Sequence, residues 1–101
     1  MERLDLDALI FPFSTLPPRR IDTTQPRAPG GSNSLASNNG LPSIIIPGGY
    51  TSDHLPIGIE FVGKPFSDLM LLQVASGAEK VMPQRKLPTT TPPLAGEVFE
   101  Y

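Results

Sequence analysis

The chain has 101 residues, a formal net charge of −2 and 39% hydrophobic residues, with 13 prolines, 9 glycines, no cysteine and one histidine. That length suits one small domain with a modest core, about two thirds of the unfolded surface buried at most. The charge balance argues against nucleic acid or an anionic membrane as partner, the lack of cysteine excludes disulfides and thiolate metal sites, and one histidine cannot build a His-rich metal centre.

The opening stretch MERLDLDALIF has no sustained apolar core after its basic residue, so no signal peptide is expected. No apolar run approaches the roughly 20 residues of a membrane helix, and a cytoplasmic location is expected. Leu9, Ile10 and Phe11 run into Pro12, which predicts a buried strand over about 8–12 stopped by proline. So early a buried strand is unusual for a natural domain start. Residues 13–34 then hold Pro17, Pro18, Pro26, Pro29 and Gly30–Gly31 with few apolar residues. They fit neither helical nor strand period and read as a long loop.

LASNNG, residues 35–40, reads as a helical turn closed by Gly40. PSIIIP follows as a strand over about 43–47, apolar on both faces, and GGYTSD as a turn. A second strand is predicted over about 55–62. Leu55, Ile57, Ile59 and Phe61 point one way there, and Pro56, Gly58, Glu60 and Val62 the other. Gly58 predicts a close approach to the backbone. A short turn makes the two strands antiparallel neighbours. One long helix is predicted over about 67–82, with Ser67 as N-cap and Asp68 complementing the helix dipole. Leu71, Ala75, Ala78 and Met82 form its inner face, with Val74 and Val81 beside it. Gly77 is costly in a helix and predicts close packing on a sheet. Residues 83–101 read as a Pro/Thr-rich tail extended along the surface.

A strand apolar on both faces needs a layer above and a layer below. One long helix covers one face. Either a partner chain supplies the other layer, or these residues are a piece of a larger α/β domain, which is the reading preferred here.

Three stretches carry a family resemblance. DLDALIFP resembles an Asp-Ala-Leu-apolar-apolar-Pro strand of the amidase signature family. GSNSLASNNGLPSIIIPGGYTSDHLPIGIEFVGKPFSDLMLL resembles its Gly-Leu-Pro-Ala, Pro-Ala-Gly-Phe, Gly-Leu-Pro-Val-Gly and Gly-Arg-Pro-Phe succession, ending in a Leu-Leu helix. RKLPTTTPPL resembles the ending of one bacterial branch. Ser43 and Gly49 stand where the family usually has Ala, and His54 where it usually has Gly. The resemblance implies a C-terminal segment, residues 1–101, of an α/β/α sandwich with a mixed sheet. Its members hydrolyse amide bonds or transfer ammonia in tRNA-dependent amidation, with a Ser nucleophile, a second Ser in a cis peptide and a Lys that deprotonates it. The segments carrying those residues lie upstream of the matched region, so no catalytic residue is assigned, and the chain alone is expected to be inactive. No cofactor and no metal are expected.

Several residues tempt a functional assignment. PGGSNS imitates the start of the family's nucleophile segment but lacks the second Ser and the following Gly-Gly, so a Gly-rich loop is the better reading. In a complete enzyme, Ser32, Asn33 and Asn38 would line the substrate pocket and offer polar groups to a small amide. Lys64, Lys80 and Lys86 read as solvated charges rather than bases, and His54 beside Asp53 as a turn residue. Glu60 reads as facing solvent or pairing with a cation. Arg19, Arg20 and Arg27 form a small basic cluster in the long loop. A second hypothesis stays open: a non-catalytic interaction or scaffold module, possible also as a homo-oligomer, whose exposed sheet face needs a partner.

Overall fold

The computed structural model describes residues 1–16, 35–91 and 94–96. Among these, strands β1 (Ala8–Pro12), β2 (Ser43–Tyr50) and β3 (Pro56–Gly63) form one antiparallel sheet in the order β1-β3-β2, with β3 in the middle. Two helices accompany it, the five-residue α1 (Leu35–Asn39) and the twelve-residue α2 (Asp68–Glu79), after a short 3-10 turn at Glu2–Leu4. The expected antiparallel β2–β3 pair is present, with Ile44 opposite Phe61, Ile45 opposite Glu60 and Ile46 opposite Ile59. β1 joins the other edge of β3, with Ile10 opposite Phe61 and Phe11 opposite Glu60.

Directly paired residues share a face of an antiparallel sheet, so the register sorts every side chain. Ala8, Ile10, Ile44, Ile46, Ile59 and Phe61 point to the α2 side. There Ile46, Phe61, Leu71 and Ala75 form the buried core, with Ala8, Ile44, Ile59, Ala78 and Met82 packed around them. Each large apolar side chain so buried contributes roughly 1.5–3 kcal/mol. Leu9, Phe11, Ser43, Ile45, Glu60 and Val62 point to the opposite face.

Several boundaries differ from the sequence expectation. β2 runs on to Tyr50 rather than ending at 47, because Gly48 is accommodated as an extra residue between Pro47 and Gly49. Such a bulge keeps the ladder going where a plain Pro-Gly-Gly reading predicts a turn. Pro47 is tolerated because β2 is an edge strand, where a missing N–H costs no ladder bond. β1 occupies the expected residues but is not fully buried: Ile10 is 57% exposed at the sheet edge. α2 stops at Glu79, short of 82, and Val81 is exposed. Pro83 disfavours helical geometry in the residue before it, so the chain leaves by a tight turn in which the Val81 and Met82 N–H groups both reach the Ala78 carbonyl (3.1 Å each).

The start of α2 is also built differently from expectation. Ser67 is the N-cap residue, but its hydroxyl makes no bond to the helix amides. It donates backwards to the Lys64 carbonyl (2.7 Å) and so fixes the Lys64–Ser67 turn. Gly77 does not lie against the sheet; nothing stands within 4 Å of where its side chain would be. Gly58 does meet the expected close approach. A Cβ there would lie 2.9 Å from the Ile45 Cγ2 and 3.4 Å from the Phe13 Cβ.

The β2–β3 connection is a closed five-residue loop. The Thr51 N–H donates to the Leu55 carbonyl (2.8 Å), the His54 N–H to the Thr51 carbonyl (2.9 Å), and the Leu55 N–H to the Thr51 hydroxyl (3.1 Å). This geometry puts His54 at φ 63, left-handed territory that costs a side-chain-bearing residue about 1–2 kcal/mol. His54→Gly relieves that cost but adds some unfolded-state entropy, so it is expected to raise stability by up to about 1 kcal/mol. Urea unfolding of the two proteins side by side measures it.

Candidate functional site

A shallow depression of about 340 Å³ lies where the end of α1 meets the start of α2, lined by Gly40, Leu41, Pro42, Pro65, Phe66 and Asp68. Its floor follows from local chemistry. Gly40, at φ 62, lets the chain reverse out of α1, and the Leu41 N–H then returns to the Ala36 carbonyl (3.0 Å) in a Schellman closure. The next residue, Pro42, gives its carbonyl to the Gly63 N–H (3.0 Å), tying this loop to the end of β3. Opposite, the Lys64–Ser67 turn presents Phe66, wholly exposed and at φ 62. A large aromatic held in left-handed geometry costs about 1–3 kcal/mol, which the surrounding turn must offset.

The lining offers apolar surface and a single carboxylate, Asp68. It has no hydroxyl or thiol nucleophile with a base beside it, which acyl transfer requires. Among the described residues no group of three or more His, Cys, Asp or Glu could hold a metal ion. No helix among them is long and apolar enough to cross a membrane.

Asn38 sits exposed on α1, two residues before Gly40, and is not part of the lining. Ser32 and Asn33 lie outside the described residues, as do Arg19, Arg20 and Arg27. Lys80 and Lys86 are exposed and Lys64 is partly so, while His54 is exposed in its turn. The tail is held to β2 where the Tyr50 hydroxyl accepts the Lys86 N–H (2.5 Å) and donates to the Lys86 carbonyl (3.2 Å).

Glu60 departs most from expectation. It is 3% exposed rather than facing solvent, no cation pairs with it among the described residues, and its Oε2 has no hydrogen-bond partner. It points to the sheet face away from α2, beside Val62, which is completely buried. The alternation along β3 already puts Glu60 and Val62 on one face. The two-faced apolar pattern of β2 is the signal that this face is dry, and it applies equally to the strand paired with it.

Comparison with known proteins follows the same residues. The chain is 43% identical over 49 residues to a subunit of the glutamyl-tRNA(Gln) amidotransferase of Fusobacterium nucleatum, covering 48% of this chain and 10% of that protein. It is 40% identical over 47 residues to the fatty acid amide hydrolase of Medicago truncatula, covering 46% of this chain and 8% of that protein. It is 34% identical over 94 residues to the indoleacetamide hydrolase of Agrobacterium vitis, covering 82% of this chain and 20% of that protein. The chain therefore spans a fifth or less of the length of these curated relatives. No family model and no solved structure matches it.

Proposed function

We infer, from the match of this chain to a fragment of the amidase signature family, that it supplies the sheet-and-helix part of a unit that hydrolyses carbon–nitrogen amide bonds. The observation that carries this reading is the alignment with an amide hydrolase across 82% of the chain at 34% identity. In this reading residues 1–101 are a C-terminal segment of an α/β/α sandwich. α2 forms one outer layer, and the other layer comes with the segments that bear the Ser-Ser-Lys residues.

The sheet supports that division. Ile45, in the middle of a strand apolar on both faces, is 47% exposed on the side away from α2. Its neighbours Ile44 and Ile46, on the α2 side, are better buried. One layer is in place and the other face still carries apolar surface, which a complete two-faced sheet covers. The depression at Phe66 contributes apolar wall in such a unit, and Ser32, Asn33 and Asn38 add polar groups toward a small amide substrate.

Among the described residues no group is placed to make a hydroxyl nucleophilic or to stabilise an oxyanion. The test is an assay of the purified chain on small aliphatic and aryl amides, with and without a serine-directed covalent inhibitor. No turnover is expected. Inhibitor-sensitive turnover by the chain alone would overturn this division of labour.

A further inference from the structure

Glu60 is a carboxylate in a costly place. It is the one buried charged residue among those described, at 3% exposure, and its Oε2 accepts no hydrogen bond. A buried carboxylate left without a donor costs several kcal/mol, whereas a well-made pair with a cation recovers much of that cost. Strand interiors keep such a group when a donor arrives from outside the strand.

The surroundings say from which side the donor comes. In register, Phe11 of β1 and Ile45 of β2 flank Glu60 on the face away from α2. Leu9 and Val62 continue the apolar surface on one side of it, and side-chain-free Gly58 lies on the other, with the Ile45 Cγ2 leaning over it. The nearest neighbours on this face are therefore aliphatic and aromatic carbon around one unsatisfied acidic oxygen, with the exposed Ser43 farther along, opposite Val62. Ile45, which lies directly across the β2–β3 pair from Glu60, is 47% exposed and is the outermost of these neighbours.

We propose that this face is a docking surface for a polypeptide segment that lays apolar side chains on Leu9, Phe11 and Ile45 and brings an arginine guanidinium to Glu60. A guanidinium fits better than an ammonium because it is less strongly hydrated, gives up water at lower cost and stacks on an aromatic neighbour such as Phe11. The segment belongs to the remainder of the amide-hydrolysing unit, so the proposal rests on the reading above and names what joins the two parts.

The test uses the full chain and phenylguanidinium as a stand-in for the arriving side chain, with phenylurea as its uncharged analogue. Binding is followed on the isoleucine methyl signals by NMR. The expected result is a saturable shift of the Ile45 methyl with phenylguanidinium and none with phenylurea. Glu60→Gln, which keeps the shape and removes the charge, is expected to weaken that binding about tenfold or more. Three outcomes overturn the proposal. Equal shifts with both compounds make the face merely greasy. No shift with either shows that Glu60 is not open to a donor from this side. A shift of Ile45 driven by chain concentration alone assigns the face to a second copy. None of these touches the amidase reading, which stands or falls on amide turnover.

Discussion

Phe61→Ala is expected to abolish cooperative folding of the chain. Phe61 is 6% exposed in the central strand and meets Ile46, Leu71 and Ala75, so it joins sheet to helix at the middle of the core. Emptying that position removes the largest core side chain and leaves a cavity that β3, paired on both edges, cannot close by shifting. Phe→Ala changes in cores cost about 3–5 kcal/mol. A core this small supplies about that much net stability in total. Circular dichroism in a urea series is expected to show no sigmoidal transition for the variant. Leu72→Ala gives the contrast, since Leu72 is 56% exposed on the outer side of α2. Its effect is expected to stay within about 0.5 kcal/mol. A variant of Phe61 that unfolds like the parent would show that the β3–α2 contact does not hold the fold together.

Gly48→Ala is the second large effect. The residue is the extra one in β2, and a Cβ there would overlap the Ile59 side chain, with Cγ1 in hard contact and Cδ1 at 2.7 Å. Ile59 packs against the core and cannot swing outward without loosening its contacts. The choice is between displacing Ile59 and flattening the bulge, and flattening slips the Gly49–Tyr50 register against Ile57 and Pro56. Overpacking of this kind costs about 1–3 kcal/mol. The expected result is a lower urea midpoint, recovered in part by the double change Gly48→Ala with Ile59→Val, which trims the colliding Cδ1. Absence of any recovery would show that the Cδ1 contact is not the source of the cost.

How much of the fold is legible in the sequence depends on what each residue's environment owes to its neighbours in the chain. β3 and its partner strand are readable because alternation along Leu55–Val62 and a short polar turn fix both period and pairing. The inner face of α2 is readable for the same reason, since Leu71, Ala75, Ala78 and Met82 recur at helical spacing. What escapes depends on tertiary detail. The bulge at Gly48 brings the backbone against Ile59 of the neighbouring strand, and no local pattern distinguishes that from a Pro-Gly-Gly turn. Ser67 has the identity of an N-cap, yet its hydroxyl is spent on the Lys64 carbonyl once Phe66 takes up its left-handed geometry. Gly77 is expected against the sheet and instead faces open space, since Leu71 and Ala75 already fill the contact.

The site is less legible than the fold. Ser32 and Asn33 lie outside the described residues, and Asn38 sits beside the depression rather than in its lining. Glu60 is visible as a strand residue, but its burial follows from the combination of both neighbouring strands. The triple isoleucine carries the clearest message: a strand apolar on two faces demands two layers, and among the described residues α2 supplies one.

That these residues form a working part of an amide-hydrolysing unit is tested most directly by exchanging the part. In the indoleacetamide hydrolase of Agrobacterium vitis, the stretch aligned with this chain is replaced by this chain, and hydrolysis of indoleacetamide is measured. Turnover is expected from the hybrid and none from the same enzyme lacking the stretch. A hybrid that folds, melts cooperatively and hydrolyses nothing would contradict the proposed role.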